Sequence, residues 1–199
     1  MSLEVVNTLA SLTTVVIVAA TAIAALVQLR HLNAGNQINA MLAIGQELGA
    51  REFRDAAQLV RQELEEAFND LSFRDFVVAA ARNQAQPEIN SHYMEMQRAS
   101  LMVGNAYEEL GILVKRGIVD KEMFLDRYAW VILANWKKLE RPLAFSREAA
   151  ATDLIWENFE YLAVLAEDWI MGHARGTYPQ GVRRMQLTNP WPIVTPATA

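Results

Sequence analysis

The sequence predicts an all-α protein: an N-terminal transmembrane helix, then a bundle of about five helices and an irregular C-terminal tail. Three observations predict it. Val5 to Leu29 is a run without a single charged residue, ended by Arg30 and His31. Beyond it, apolar residues recur every three or four positions, the period of a helix with one buried face. No segment sustains the strict alternation of a half-buried strand. The resulting divisions are 1–31 for the anchor, 32–50 for a juxtamembrane helical segment, 51–175 for the bundle and 176–199 for a proline-rich tail.

The uncharged run, built as a helix, would extend roughly 37 Å, enough to cross a hydrocarbon core of about 30 Å with some tilt. The residues before it carry Glu4 and no cation, the reverse of a signal-peptide n-region. The flanking cations, Arg30 and Arg51, lie on its C-terminal side. The positive-inside tendency therefore predicts a single-pass protein of the cell inner membrane, N-terminus outside and helical body in the cytoplasm. Ala20 and Ala24 stand four apart, a small-residue spacing that lets membrane helices approach closely.

After the anchor, Ile38, Met41, Leu42, Ile44 and Leu48 keep helical spacing, so the first helix either continues or kinks near Asn33–Asn36, with a stop at Gly49. A second helix covers Arg51 to Phe68, with Phe53, Ala57, Val60, Leu64 and Phe68 inward. Ser72, followed by Asp75, is placed to cap a short third helix that the segment through Pro87 closes. The fourth helix, Glu88 to Arg116, carries one long stripe through Tyr93, Met96, Val103, Tyr107, Leu110 and Val114, with Gly117 as its cap. Asp120 caps a fifth helix, its inner face Met123, Phe124, Tyr128, Val131, Ile132 and Trp136, which Pro142 breaks. Asp153 starts a sixth, ending near Gly172 or Gly176.

The tail from Gly176 holds four of the six prolines and no acid. Arg183, Arg184 and Trp191 are its candidate contacts with lipid headgroups or a neighbouring subunit. The charge balance of the whole chain is −5. Between Arg30 and Asp168 it is −7, because Glu4 lies before that body and Arg175, Arg183 and Arg184 after it. An acidic body argues against nucleic acid as a partner.

Chemistry is sparse in the sequence. Glu88, His92 and Glu95 would share a face if one helix held all three, but a carboxylate-bridged metal pair needs Glu-x-x-His from two helices. No metal, cofactor or catalytic residue is assigned. The chain has no cysteine, no Gly-x-Ser-x-Gly elbow and no glycine-rich phosphate loop. Polar residues set among apolar ones are more informative. Asn135 and Asn158 are embedded among apolar residues and, if buried, need hydrogen-bond partners, as in an internal network that fixes helix register. Asn105 and Glu108 share the back of the fourth helix with Leu101 and Ile112, and Arg127 is embedded similarly in the fifth. These three are the candidate ligand or partner pocket. Trp130, Trp136, Trp156, Tyr161 and Trp169 crowd the last two helices; any left outside would suit a protein-binding hot spot.

The stretch NAYEELGILVKRGIVD, with ANWKKLERPLAFSR and WENFEYLA after it, resembles a bacterial family of membrane-anchored helical proteins, domain of unknown function 4760. Asn105, Glu108, Gly111, Leu113 and Gly117 match an Asn-x-x-Glu-x-x-Gly-x-Leu-x-x-x-Gly core of that family. The resemblance implies architecture and no substrate. Two functions follow as expectations. The first is a non-enzymatic accessory or scaffold subunit, contacting membrane lipid and other membrane subunits or further copies of itself. The second is a membrane-anchored signalling or stress-response module binding a small ligand inside the bundle.

Overall fold

A computed structural model describes residues 3–191, with side chains at Thr14 and from residue 17 onward. Residues 1–2 of the expected anchor and 192–199 of the expected tail lie outside that range. Six helices and no strand occur among the described residues: α1 Leu3–Gly49, α2 Arg51–Ala67, α3 Leu71–Ala81, α4 Ser91–Lys115, α5 Lys121–Ala150 and α6 Glu157–Gly172.

α1 is unbroken over 47 residues, about 70 Å, so it continues rather than kinking at Asn33–Asn36. Its stretch Ile17–Gly49 is long and apolar enough to cross a membrane, and none of its most apolar window is buried. That exposure separates it from a soluble core helix, which would be covered. Among the described residues its C-terminal part docks: Ile44 is buried, Met41 and Leu48 pack against the core, and Gly45 faces the Tyr128 hydroxyl of α5. In the bundle, α4 lies between α2 and α6, α5 pairs with α6, and α3 covers part of α5.

Several boundaries differ from expectation, each for a local reason. Asp70, not Ser72, caps α3, accepting from both the Ser72 backbone N–H and its hydroxyl at 2.8 Å. α3 ends before Pro87 acts, because Asn83 adopts a left-handed φ of 54°; Asn83 and Gln84 then donate to the carbonyls of Ala80 and Ala79. α4 begins after Asn90, whose side chain accepts from the Tyr93 N–H at 2.8 Å, so Glu88 and Ile89 stay outside it. The expected caps Asp120 and Gly117 are present; Asp120 accepts from the Met123 N–H and Gly117 has φ 67°.

Pro142 does not break α5. A proline inside a helix costs about 3 kcal/mol, yet Leu139 and Leu143 on either side are buried and the helix runs to Ala150. Met123 and Val131 are exposed rather than inward; Leu125, Ala129 and Asn135 take the buried face with Phe124, Tyr128 and Ile132. α6 starts at Glu157 instead of Asp153, and the cause lies on another helix.

Candidate functional site

Four residues of α4, Gly104, Asn105, Glu108 and Gly111, recur at near-helical spacing and meet the start of α6. Trp156 precedes α6 in a left-handed conformation, φ 52°, and supplies no side-chain cap. Glu108 does so from across the interface. Its Oε2 accepts the backbone N–H groups of Asn158 and Phe159, both at 2.9 Å, and its Oε1 accepts from Asn158 Nδ2 at 2.6 Å. The first N–H groups of a helix lack internal acceptors and form its positive end, so a carboxylate there is doubly matched. Lys115 completes the contact, donating to Asn158 Oδ1 at 3.2 Å.

The glycines are what let α6 come so close. A Cβ on Gly111 would sit 2.2 Å from the Asn158 carbonyl oxygen, and one on Gly104 2.1 Å from the Trp156 ring. Asn105 fixes that ring, its Oδ1 accepting the indole N–H at 2.9 Å. From the other side, Arg147 donates to the Ile155 carbonyl at 2.9 Å and pairs with Glu160 at 2.6 Å. A tertiary cap therefore sets the start of α6, and a local cap at Asp153 is bypassed.

Asn105 and Trp156 also belong to the wall of a half-enclosed cavity of about 360 Å³, bounded by the end of α2, α3, α4, α5 and the loop before α6. Glu108 and Arg127 do not line it. Arg127 is exposed on α5, its guanidinium 5.4 Å from the ring of its neighbour Tyr128. The cavity residues of α5 begin at Leu139, roughly three turns further along. The expected trio thus divides: Asn105 and Glu108 work together at α6, and Arg127 stands apart.

A second polar group runs through the core. Asn135, fully buried, donates to the Tyr107 hydroxyl at 2.9 Å and to the Val131 carbonyl, while Arg61 donates to its Oδ1 at 3.1 Å. Tyr107 stacks on Phe159 with centroids 4.8 Å apart. Burial pushes the Tyr107 phenol up to about 12, against smaller opposing effects of the Asn135 bond and the Arg61 charge. The sequence marks Asn135 as an embedded polar residue that needs partners and Tyr107 as part of the core stripe, but no spacing links the two.

The remaining candidates are scattered. His92 meets Glu63 at 3.1 Å, not Glu88, and no group of three metal-ligating side chains occurs among the described residues. Tyr93 donates to Asp70 Oδ2 at 2.8 Å; the Ser72 and Tyr93 hydrogen bonds hold the Asp70 carboxyl below its ordinary range. Ala20 and Ala24 are exposed on α1. In the tail, Arg184 lies over the Tyr178 ring at 4.5 Å, the Tyr178 hydroxyl donates to the Arg183 carbonyl, and Trp191 is exposed.

A family model, described as a domain of unknown function, DUF4760, matches residues 15–169. The chain belongs to the DUF4760 family. No curated protein and no solved structure matches it. The DUF4760 region spans most of α1 and all of the bundle to Trp169, and leaves out the tail. Within it, Asn105, Glu108 and Gly111 form the α4 surface that receives α6, and Gly117 turns the chain out of α4.

Proposed function

We propose that this DUF4760 protein is a single-span protein of the cell inner membrane, with its N-terminus outside and its bundle in the cytoplasm. It acts there as a non-enzymatic accessory or scaffold subunit. The observation that carries the reading is α1 itself, an uncovered apolar helix that passes without interruption into the bundle core at Ile44. Large apolar surface left open on a helix marks a contact with lipid or with another helix. Two exposed features add to it. Trp130 is 74% exposed on α5, a poor place for a tryptophan without a partner. Arg183 and Trp191 in the tail suit a headgroup or subunit contact.

The test is gentle extraction from the native membrane, followed by the mass of the complex and of this chain. A full-length chain in an assembly with other membrane subunits is expected. A chain shortened by its first 25 or so residues would make α1 a signal sequence and end the anchor reading. A lone monomer would end the subunit reading. Orientation is separately measurable, because the chain has no cysteine. Gln86→Cys in the α3–α4 loop is expected to react with an impermeant thiol reagent only after the membrane is opened to the cytoplasmic side.

A further inference from the structure

The cavity between α3, α4 and α5 has no lining residue with a formal charge, whereas other clefts of the bundle are lined by Glu, Arg or Lys. Charged residues make up 21% of the chain, so a wall of this extent without one shapes what can enter. A charged guest would lose its hydration without gaining a counter-ion, so a neutral guest is favoured. Ala80, Ala81, Ser100 and Ser146 keep the space open by being small, and Phe68, Pro142 and Trp156 provide flat apolar faces. At about 360 Å³ it lies within the range of small-molecule pockets.

The hydrogen-bonding capacity left over defines the guest further. The Ser100 hydroxyl donates to the Gln97 carbonyl at 2.9 Å, and the Ser146 hydroxyl to the Pro142 carbonyl at 3.0 Å. The Trp156 indole N–H is taken by Asn105 Oδ1. An indole can only donate, so the oxygen of the Asn105 amide must face it, leaving the NH2 group as the remaining donor. Gln97 offers a second side-chain amide. The side-chain donors left on residues of the wall are the NH2 groups of Gln97 and Asn105, which suit a carbonyl-type acceptor.

We propose that this cavity binds a neutral, flat, mainly apolar small molecule bearing a carbonyl group, held between the Trp156 ring and the Gln97 and Asn105 amides. The guest touches the residue that begins α6. Trp156 keeps a left-handed backbone conformation that is costly for a residue with a side chain, and it is held there by the Asn105 hydrogen bond and close packing against Gly104. Occupancy bears directly on that clamp. The proposal does not depend on the accessory-subunit reading.

Benzophenone, a neutral aromatic ketone that crosslinks on irradiation, is the probe. The full chain in lipid nanodiscs is irradiated with it and the adducts are mapped by peptide mass spectrometry. Adducts on α1 report probe dissolved in lipid and serve as the internal reference. Saturable adducts are expected on Gln97–Asn105, Leu139–Ser146 and Ile155–Trp156. Ser100→Phe, which fills the space, is expected to lower them at least ~10-fold relative to α1, and benzophenone-4-carboxylate to compete at least ~10-fold less well than the neutral ketone. Gln97→Leu keeps the volume and removes one amide; a ~3–10-fold weaker half-saturation is expected. Adducts that do not saturate would overturn the proposal, as would equal competition by the carboxylate. Should Ser100→Phe fail to fold, Gln97→Leu and the competition decide between these outcomes.

Discussion

Tyr107 and Glu108 are adjacent in sequence and serve two different seams of the bundle. Tyr107 points into the buried centre, where its hydroxyl accepts from Asn135, and Asn135 in turn accepts from Arg61. Glu108 points to the half-covered edge of α6, where its carboxylate holds two backbone N–H groups and the Asn158 amide. The inner seam is built from neutral groups around a buried amide, with its one cation entering from the side. The outer seam places a full charge where a helix offers its positive end and a lysine stands near. At both seams each buried polar group named here has a hydrogen-bond partner, as burial requires.

The two seams break under different insults. Gly111→Ala attacks the outer seam sterically, against backbone rather than a movable side chain, and is expected to cost about 3 kcal/mol; urea unfolding of the purified chain measures it. The inner seam should respond to pH instead. The folded state keeps the Tyr107 proton to about 12, above the ordinary 10.0, so the unfolded state loses protons first as pH rises. Stability is fully present below pH 10 and falls between 10 and 12, by about 2–3 kcal/mol in total. Tyr107→Phe is expected to flatten that part of the profile, and an unchanged slope would break the distinction between the seams. Glu108→Gln retains shape while removing the charge, with an expected loss of about 1–2 kcal/mol at neutral pH. Trp130→Ser touches neither seam. It should change stability by less than about 0.5 kcal/mol, while lowering recovery of partner subunits in the gentle extraction.

The helices themselves were legible because each advertises a 3.6-residue period or a local cap: Asp120 and Gly117 are used as their types suggest. What the sequence hid is non-local. Pro142 reads as a stop until Leu139 and Leu143 are seen buried on either side of it. Asp153 reads as a start until Glu108, on another helix, takes the N–H groups that a local cap would have taken. The candidate site was half visible for the same reason. Asn105 and Glu108 stand out as polar residues on an apolar helix, but their partner, the segment Trp156–Phe159, lies some fifty positions away. Arg127 gives a similar sequence signal and turns out to face solvent, since embedding in an apolar stretch does not tell which side of α5 is covered.

On the proposed anchor reading, the continuity of α1 into Ile44 makes the helix a lever as well as a tether. A flexible juncture would let the bundle keep its attitude while the apolar segment leaned; a single rod carries every lean across. Over an arm of about 30 Å, a tilt of roughly 10° sweeps the far end through about 5 Å. Carried by such an arm, the bundle's height and bearing would follow the thickness of the layer around its apolar half, so that the same chain would present its outer face differently in thin and thick surroundings.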